Sequence, residues 1–383
     1  MNSMDGSTHA SGRRVALARI AALGAAAAMA GPLAACKRRS ATESIVVYTS
    51  ADDALARIVF AACEAATGVR IEGVFDTEAT KNTGLENRLR AERERPRADL
   101  FWSSEGFSVV RLASEGLLEP LSGDALSRWP AEHRDADGRW AAFSARARVV
   151  VTNKRTGARD GTPPIANWAE LASPERRGKV AIADPRFGTT RAHLAALEQA
   201  WYAARAQAIA VPTLTEWLAG LRRGGVSVLP GGNAATVEAV AAGECAYGLT
   251  DTDDALAAIA RGLPIEMTLP RTLPEGVEGG GTMIVPNTIA KVAGRPHAAK
   301  PAGADPSRTS VGAADRVVAW FLSAPCEELI ANSPSRNLPL GGGCDVRLPY
   351  GESSPLRFDL GAAARRATDL STGAFAMLTE DSA

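Results

Sequence analysis

Asp251, Asp253 and Asp254 stand within four positions of one another, directly after the strand-like run Cys245 to Thr250. Carboxylates this close disfavour their shared ionised state unless a cation offsets them. Hard cations such as calcium or magnesium prefer oxygen ligands of this kind, and a ligand ammonium group would serve as well. Helix capping is the competing reading, because Asp251 can cap a helix and acidic residues are favoured in a first helical turn.

Gly188-Thr189-Thr190 has the opposite polarity. It opens a helix, where free N–H groups and the helix dipole attract anions and the hydroxyls add donors. The alternative there is a plain N-cap. Asn233 stands before another helix and carries the same two readings. Asp52, Ser104 and Glu105 follow two other strands, at the ends that would face a cleft, and Asp52 could equally begin a helix. Arg146 and Arg148 share one strand face because side chains alternate with period two. They can reach an anion or hold a salt bridge between lobes. Thr80-Lys81-Asn82, ahead of a polar helix, is a further candidate.

Enzyme signatures are missing. There is no GxSxG elbow, HExxH pair, Walker loop or Rossmann glycine fingerprint. Gly279-Gly280-Gly281 precedes a strand, not a helix, and reads as a flexible joint. His133, His193 and His297 show no ligand spacing. The expectation is a binding protein, not an enzyme.

These side chains need a scaffold, and the chain supplies one by alternation. Ile45 to Tyr48 reads as a buried strand, Asp53 to Ala66 as an amphipathic helix closed by Gly68, and Val69 to Phe75 as a second strand. Helix, strand and helix follow at about 82–93, 98–102 and 107–115. A second series has strands near 146–152, 180–183, 226–229 and 245–250, with helices near 189–205, 215–222 and 234–242 between them. Thr282 to Val285 reads as a further strand, and helices follow at 313–322 and 327–331. Such alternation predicts an α/β fold with largely parallel sheets. Ligands of such sheets sit beyond the carboxyl ends of the strands. The 383 residues suit two domains of roughly 100–200 residues each. Lys plus Arg and Asp plus Glu both count 43, so there is no basic excess for a nucleic acid.

The N-terminus reads as an export signal. Arg13-Arg14 precede an Ala-rich apolar run, which ends in the lipobox-like Leu33-Ala34-Ala35-Cys36. Residues 1–36 are therefore expected to be a signal peptide with lipidation at Cys36, and 37–43 a tether. Sec and twin-arginine export both remain open. Among the other cysteines, Cys63 and Cys245 read as buried thiols, and Cys326 and Cys344 as the better disulfide candidates.

Several of these segments, taken in order, resemble the ferric-iron-binding group of periplasmic solute-binding proteins of ABC importers. They are Ile45 to Thr49, Thr67-Gly68-Val69, Arg97 to Trp102, Gly116 to Leu121, Ser144 to Val151, and Gly243-Glu244. The resemblance covers roughly Ser44 to Leu340, apart from the loop after Gly294. It implies two lobes joined by crossing strands: 44–147 and 277–325 for lobe 1, 148–276 and 326–383 for lobe 2. Members of that group hold iron with two adjacent tyrosines, a histidine and a glutamate. At the corresponding positions this sequence has Thr252 and Asp253, Asp52, and Ser104 or Glu105. Iron bound as tyrosinate is therefore not expected. Gly188-Thr189-Thr190 matches the group's anion-binding loop and Asn233 an anion-contacting asparagine.

The ligand-binding candidates are Asp52, Ser104, Glu105, Arg148, Gly188, Thr189, Thr190, Asn233, Asp251, Thr252 and Asp253. Asp251, Asp253 and Glu105 are also the candidate metal ligands, and a metal cation is the one cofactor considered. The expected protein is an exported, membrane-anchored, monomeric lipoprotein. It would pass a metal ion with an anion, or a phosphorylated or zwitterionic molecule, to an ABC permease and ATPase. A module of a membrane sensor and a secreted metal-dependent hydrolase are the alternatives.

Overall fold

In strand β1 (Ser44–Thr49) side chains alternate between two cores. Ile45 and Val47 enter one with Trp102 and Phe321, and Tyr48 enters another with Phe101 and Leu112. Burial on both faces is what a strand inside a helix-covered parallel sheet requires. The computed structural model describes residues 43–76, 83–155, 164–294, 312–344 and 355–379. Cys36 and Thr80-Lys81-Asn82 lie outside them.

After β1 come α1 (Asp53–Thr67), β2 (Arg70–Phe75), α2 (Thr83–Ala91), β3 (Leu100–Ser103), α3 (Gly106–Ser114), β4 (Leu118–Glu119), α4 (Asp124–Arg128) and β5 (Trp140–Asn153). The chain continues through β6 (Val180–Ala183), α5 (Gly188–Ala206), α6 (Leu214–Arg223), β7 (Ser227–Leu229), α7 (Gly232–Ala242), β8 (Tyr247–Asp251), α8 (Thr252–Ala260) and β9 (Ile265–Thr268). Last are β10 (Ile284–Val292), α9 (Ala313–Phe321), α10 (Ala324–Asn332), β11 (Leu338–Pro339) and α11 (Leu360–Thr379).

The strand order β2-β1-β3-β10-β5-β8-β6-β7 gives an α/β fold of two lobes. Strand β5 crosses between them. Its first half, Trp140 to Ala147, pairs antiparallel with β10. Its second half pairs with β8 and β9, beginning with Arg148 opposite Asp251. The alternation of β5 continues throughout: Ala141 and Phe143 serve the first lobe's core, whereas Val150 and Val149 serve the two faces of the second.

The C-terminal region departs from the expected lobe boundary at residue 326. Helix α10 packs on α1, and its Cys326 and Ile330 belong to the same core as Val47. Helix α11 was not foreseen. It lies on α3, α5 and α6, with Ala363, Ala364 and Ala367 against Ala192, Ala196 and Phe107. Small side chains let these helices approach closely, so α11 ties the two lobes together behind the cleft. Cys326 and Cys344 are not joined by a disulfide.

Candidate ligand-binding cleft

Strand register builds the centre of the site. Arg148 and Asp251 are direct cross-strand partners, and Arg146 lies two residues back on the same face. Arg148 Nη1 donates to Asp251 Oδ1 at 2.6 Å, and Arg146 Nε donates to Oδ2 at 3.0 Å. Thr189 Oγ1 and Asn233 Nδ2 also donate to Oδ2, at 2.7 and 3.0 Å. Asp251 is 1 % exposed and its side chain makes no cap to α8. Burial by itself would raise its carboxyl, but Arg148, Arg146 and the Thr189 hydroxyl outweigh that and hold it at about 2. Arg146 spans the cleft, since its Nη1 also donates to the Ser104 carbonyl at 2.5 Å.

The surrounding cleft is lined by Asp52, Ser104, Arg146, Asp184, Gly188, Thr189, Thr190, Asn233, Asp251, Asp253, Asp254, Asn287 and Asn337, among others. Each lobe contributes through strand ends and helix starts. Gly188 has φ +54, a left-handed conformation that suits glycine, and it turns the chain into α5. Its N-cap residue Phe187 makes no side-chain cap bond, and a helix start of this kind has N–H groups without intrahelical partners. Asp52 occupies the N-cap position of α1 without making a side-chain cap bond. Asp253 lies 3.5 Å from Arg146 Nε, and Asp184 is paired with Arg186. With Asp251 balanced by two arginines, the remaining acidic side chains leave this part of the cleft negative.

Three candidates are not at the cleft. Glu105 is fully buried and caps α3, accepting from the N–H groups of Phe107 at 2.6 Å and Ser108 at 3.1 Å. It belongs to a buried ionic cluster in which Arg111 and Arg191 flank Glu86. It is thus no metal ligand in this arrangement. That cluster also crosses the molecule, because Arg191 is on α5 and Glu86 on α2. Burial opposes ionisation of Glu86, yet Arg111 and Arg191 hold its carboxyl well below the usual range. Thr252 is buried, and its hydroxyl accepts from the Ala147 N–H at 3.1 Å. Arg148 is also fully buried, behind the cleft wall.

The acidic run and the helix start of opposite polarity meet directly, through Thr189 and Asp251. Asp251, Asp253 and Asp254 each offer an oxygen within 4.8 Å of the others. However, both oxygens of Asp251 are occupied by donors, so a cation would find mainly Asp253 and Asp254. Among the described residues no tyrosine lines the cleft. Tyr48 bonds to Glu92 and Tyr247 stacks under Arg176. Sequence reasoning missed Asp184, Asn287 and Asn337. Asp184 directly follows a strand and could have been found by the strand-end rule; the two asparagines carry no motif.

A family model for bacterial extracellular solute-binding proteins matches residues 59–305. Iron uptake protein A1 of Synechocystis is 25 % identical over 214 residues, which is 55 % of this chain and 54 % of that relative. The major ferric iron-binding protein of Neisseria gonorrhoeae is 29 % identical over 143 residues, 37 % of this chain and 42 % of the other. The chain spans about half the length of the curated relatives it matches. Among solved structures, iron-bound HitA from Pseudomonas aeruginosa superposes with a TM-score of 0.69 at 20 % identity, over 87 % of this chain and 99 % of that one. AfuA from Actinobacillus pleuropneumoniae, with fructose-6-phosphate bound, gives 0.68 at 16 % identity, over 87 % and 96 %. At these identities the likeness shows the two-lobe fold.

Proposed function

As this chain belongs to the bacterial extracellular solute-binding proteins, we propose that it is the solute receptor of an ABC-type importer, and not an enzyme. The observation that carries the reading is the cleft itself, walled by polar side chains from both lobes and crossed by Arg146 between Ser104 and Asp251. Lobe closure around a ligand is the movement such a hinged pair permits. The importer's permease and ATPase are the partners this role requires. Export, lipidation at Cys36 and a monomeric state belong to the same proposal; an acyl chain lost in Cys36→Ser would support the anchor.

For the ligand we favour a small organic molecule with a cationic group. Asp52, Asp253 and Asp254 supply the negative wall, and the starts of α5 and α7 suit an anionic or hydroxyl end. The relatives named for iron and the neighbour holding a sugar phosphate frame this choice. A second reading is a divalent cation held by Asp253 and Asp254, favoured by the closeness of the acidic oxygens. It must compete with Arg146, which already lies beside Asp253. Native mass spectrometry of the purified protein separates the readings. A retained small-molecule mass supports the first and a retained metal the second. Turnover of a bound compound by the purified protein would overturn the receptor role.

A further inference from the structure

Asn287 and Asn337 line the cleft, and each has a buried polar atom that finds no hydrogen-bond partner among the described residues: Nδ2 of Asn287 and Oδ1 of Asn337. Asn287 is 2 % exposed and Asn337 1 %. Buried polar groups are overwhelmingly paired, so two exceptions on one cavity wall need an explanation.

The orientation of Asn287 is fixed by its neighbour. Trp102 Nε1 donates to Asn287 Oδ1 at 3.1 Å. An indole N–H can only donate, so the amide oxygen must face Trp102 and the amide NH2 must face the other way. Trp102 is itself held by edge-to-face rings, Phe60, Phe143 and Phe321, at 5.4–5.8 Å. The pairing of β10 with β5 also slips between Asn287 and Thr288, where Phe143 of β5 is the extra residue. A bulge of this kind re-aims a side chain, and bulges recur beside binding sites. On the other edge of β5, β11 begins at Leu338 and so places Asn337 beside the same strand.

Resting on the receptor reading, we propose that Asn287 and Asn337 recognise a hydroxyl group of the ligand. A hydroxyl both accepts and donates, so it can take the Asn287 amide N–H and give its own proton to Asn337 Oδ1. A bare metal ion could take the Asn337 oxygen but cannot accept the Asn287 N–H. Combined with the negative wall of Asp52, Asp253 and Asp254, this makes the ligand a hydroxylated organic cation or zwitterion.

The test is calorimetry on the full chain with four probes. Glucosamine 6-phosphate carries an amine, an anion and hydroxyls. 2-Aminoethylphosphonate keeps the two charges but has no carbon-bound hydroxyl. Calcium and ferric citrate represent metals. The expected result is that glucosamine 6-phosphate binds at least about 10-fold more tightly than 2-aminoethylphosphonate. Asn287→Asp keeps the oxygen for Trp102 and removes the amide donor, and Asn337→Ala removes the acceptor. Each should weaken glucosamine 6-phosphate by about 10- to 100-fold and leave 2-aminoethylphosphonate within about twofold. Thermal melts identify any variant that has merely unfolded; Asn287→Ser then serves as a second, smaller change. Binding of glucosamine 6-phosphate that the asparagine variants leave unchanged overturns this inference alone. Failure of all four probes overturns the ligand class, and native protein with no retained solute or metal then also counts against the receptor reading.

Discussion

Thr189 Oγ1 donates to Asp251 Oδ2 at 2.7 Å, linking the first turn of α5 to the end of β8 across 62 residues of sequence. Two features of opposite polarity thus satisfy each other inside the protein. The hydroxyl is shared further, because it accepts from Arg148 Nη1 at 3.1 Å and Asn233 Nδ2 at 3.0 Å. Asp251 is consequently the counter-ion of the cleft wall, and the side chains left to meet a solute are those around it.

Asp251→Asn should be severely destabilising. It leaves Arg146 and Arg148 buried without their shared carboxylate, and breaking a buried pair from one side costs about 3–5 kcal/mol. The midpoint of urea unfolding should fall accordingly. A change below about 1 kcal/mol would mean that water or Asp253 compensates the arginines.

Asp253→Asn should behave differently. Its side chain is 12 % exposed and lies 3.5 Å from Arg146, so the melting temperature should fall by only a few degrees. Affinity for the retained solute should weaken by about 10- to 150-fold, the equivalent of one charge-assisted contact of about 1.5–3 kcal/mol. Unchanged calorimetric affinity would remove Asp253 from the binding wall.

Acid should loosen the protein in a defined window. Asp251 has its carboxyl lowered in the folded state from 3.8 to about 2. The stabilisation is therefore complete above the unfolded value, and declines as pH falls from about 4 through about 2. Glu86, held low by Arg111 and Arg191, has the same sign. Melts recorded across this range should show the decline in the wild type and a shallower one in Asp251→Asn.

Ferric citrate should produce no visible phenolate charge-transfer band. By its resemblance to the ferric-iron-binding group the chain is expected to have Thr252 and Asp253 in place of the tyrosine pair, and among the described residues no tyrosine lines the cleft. A band that persists in Asp253→Ala would place a phenolate on the metal and contradict this arrangement.

Local signals made the fold legible. Burial on both faces marks β1 and β5, Gly68 closes α1 in the left-handed conformation, and the order of strands and helices determines an α/β fold of two lobes. Helix α11 escaped because its buried stripe is alanine, which signals little by itself and gains its value only against Ala192 and Ala196. The sequence likewise determined that Arg146 and Arg148 share a face, since alternation along one strand is a local property. It could not assign their partner, because Asp251 lies 103 residues from Arg148 and is brought opposite it only by antiparallel register. The same reason separates Glu105 from its expectation. A carboxylate after a strand can face a cleft or cap the next helix, and the closeness of Arg111 of α3 and Arg191 of α5 to Glu105 decides for the cap. Asn287 is the extreme case: its meaning comes from a bulge, a distant indole and a shared cavity, each of which exists only once the chain is folded.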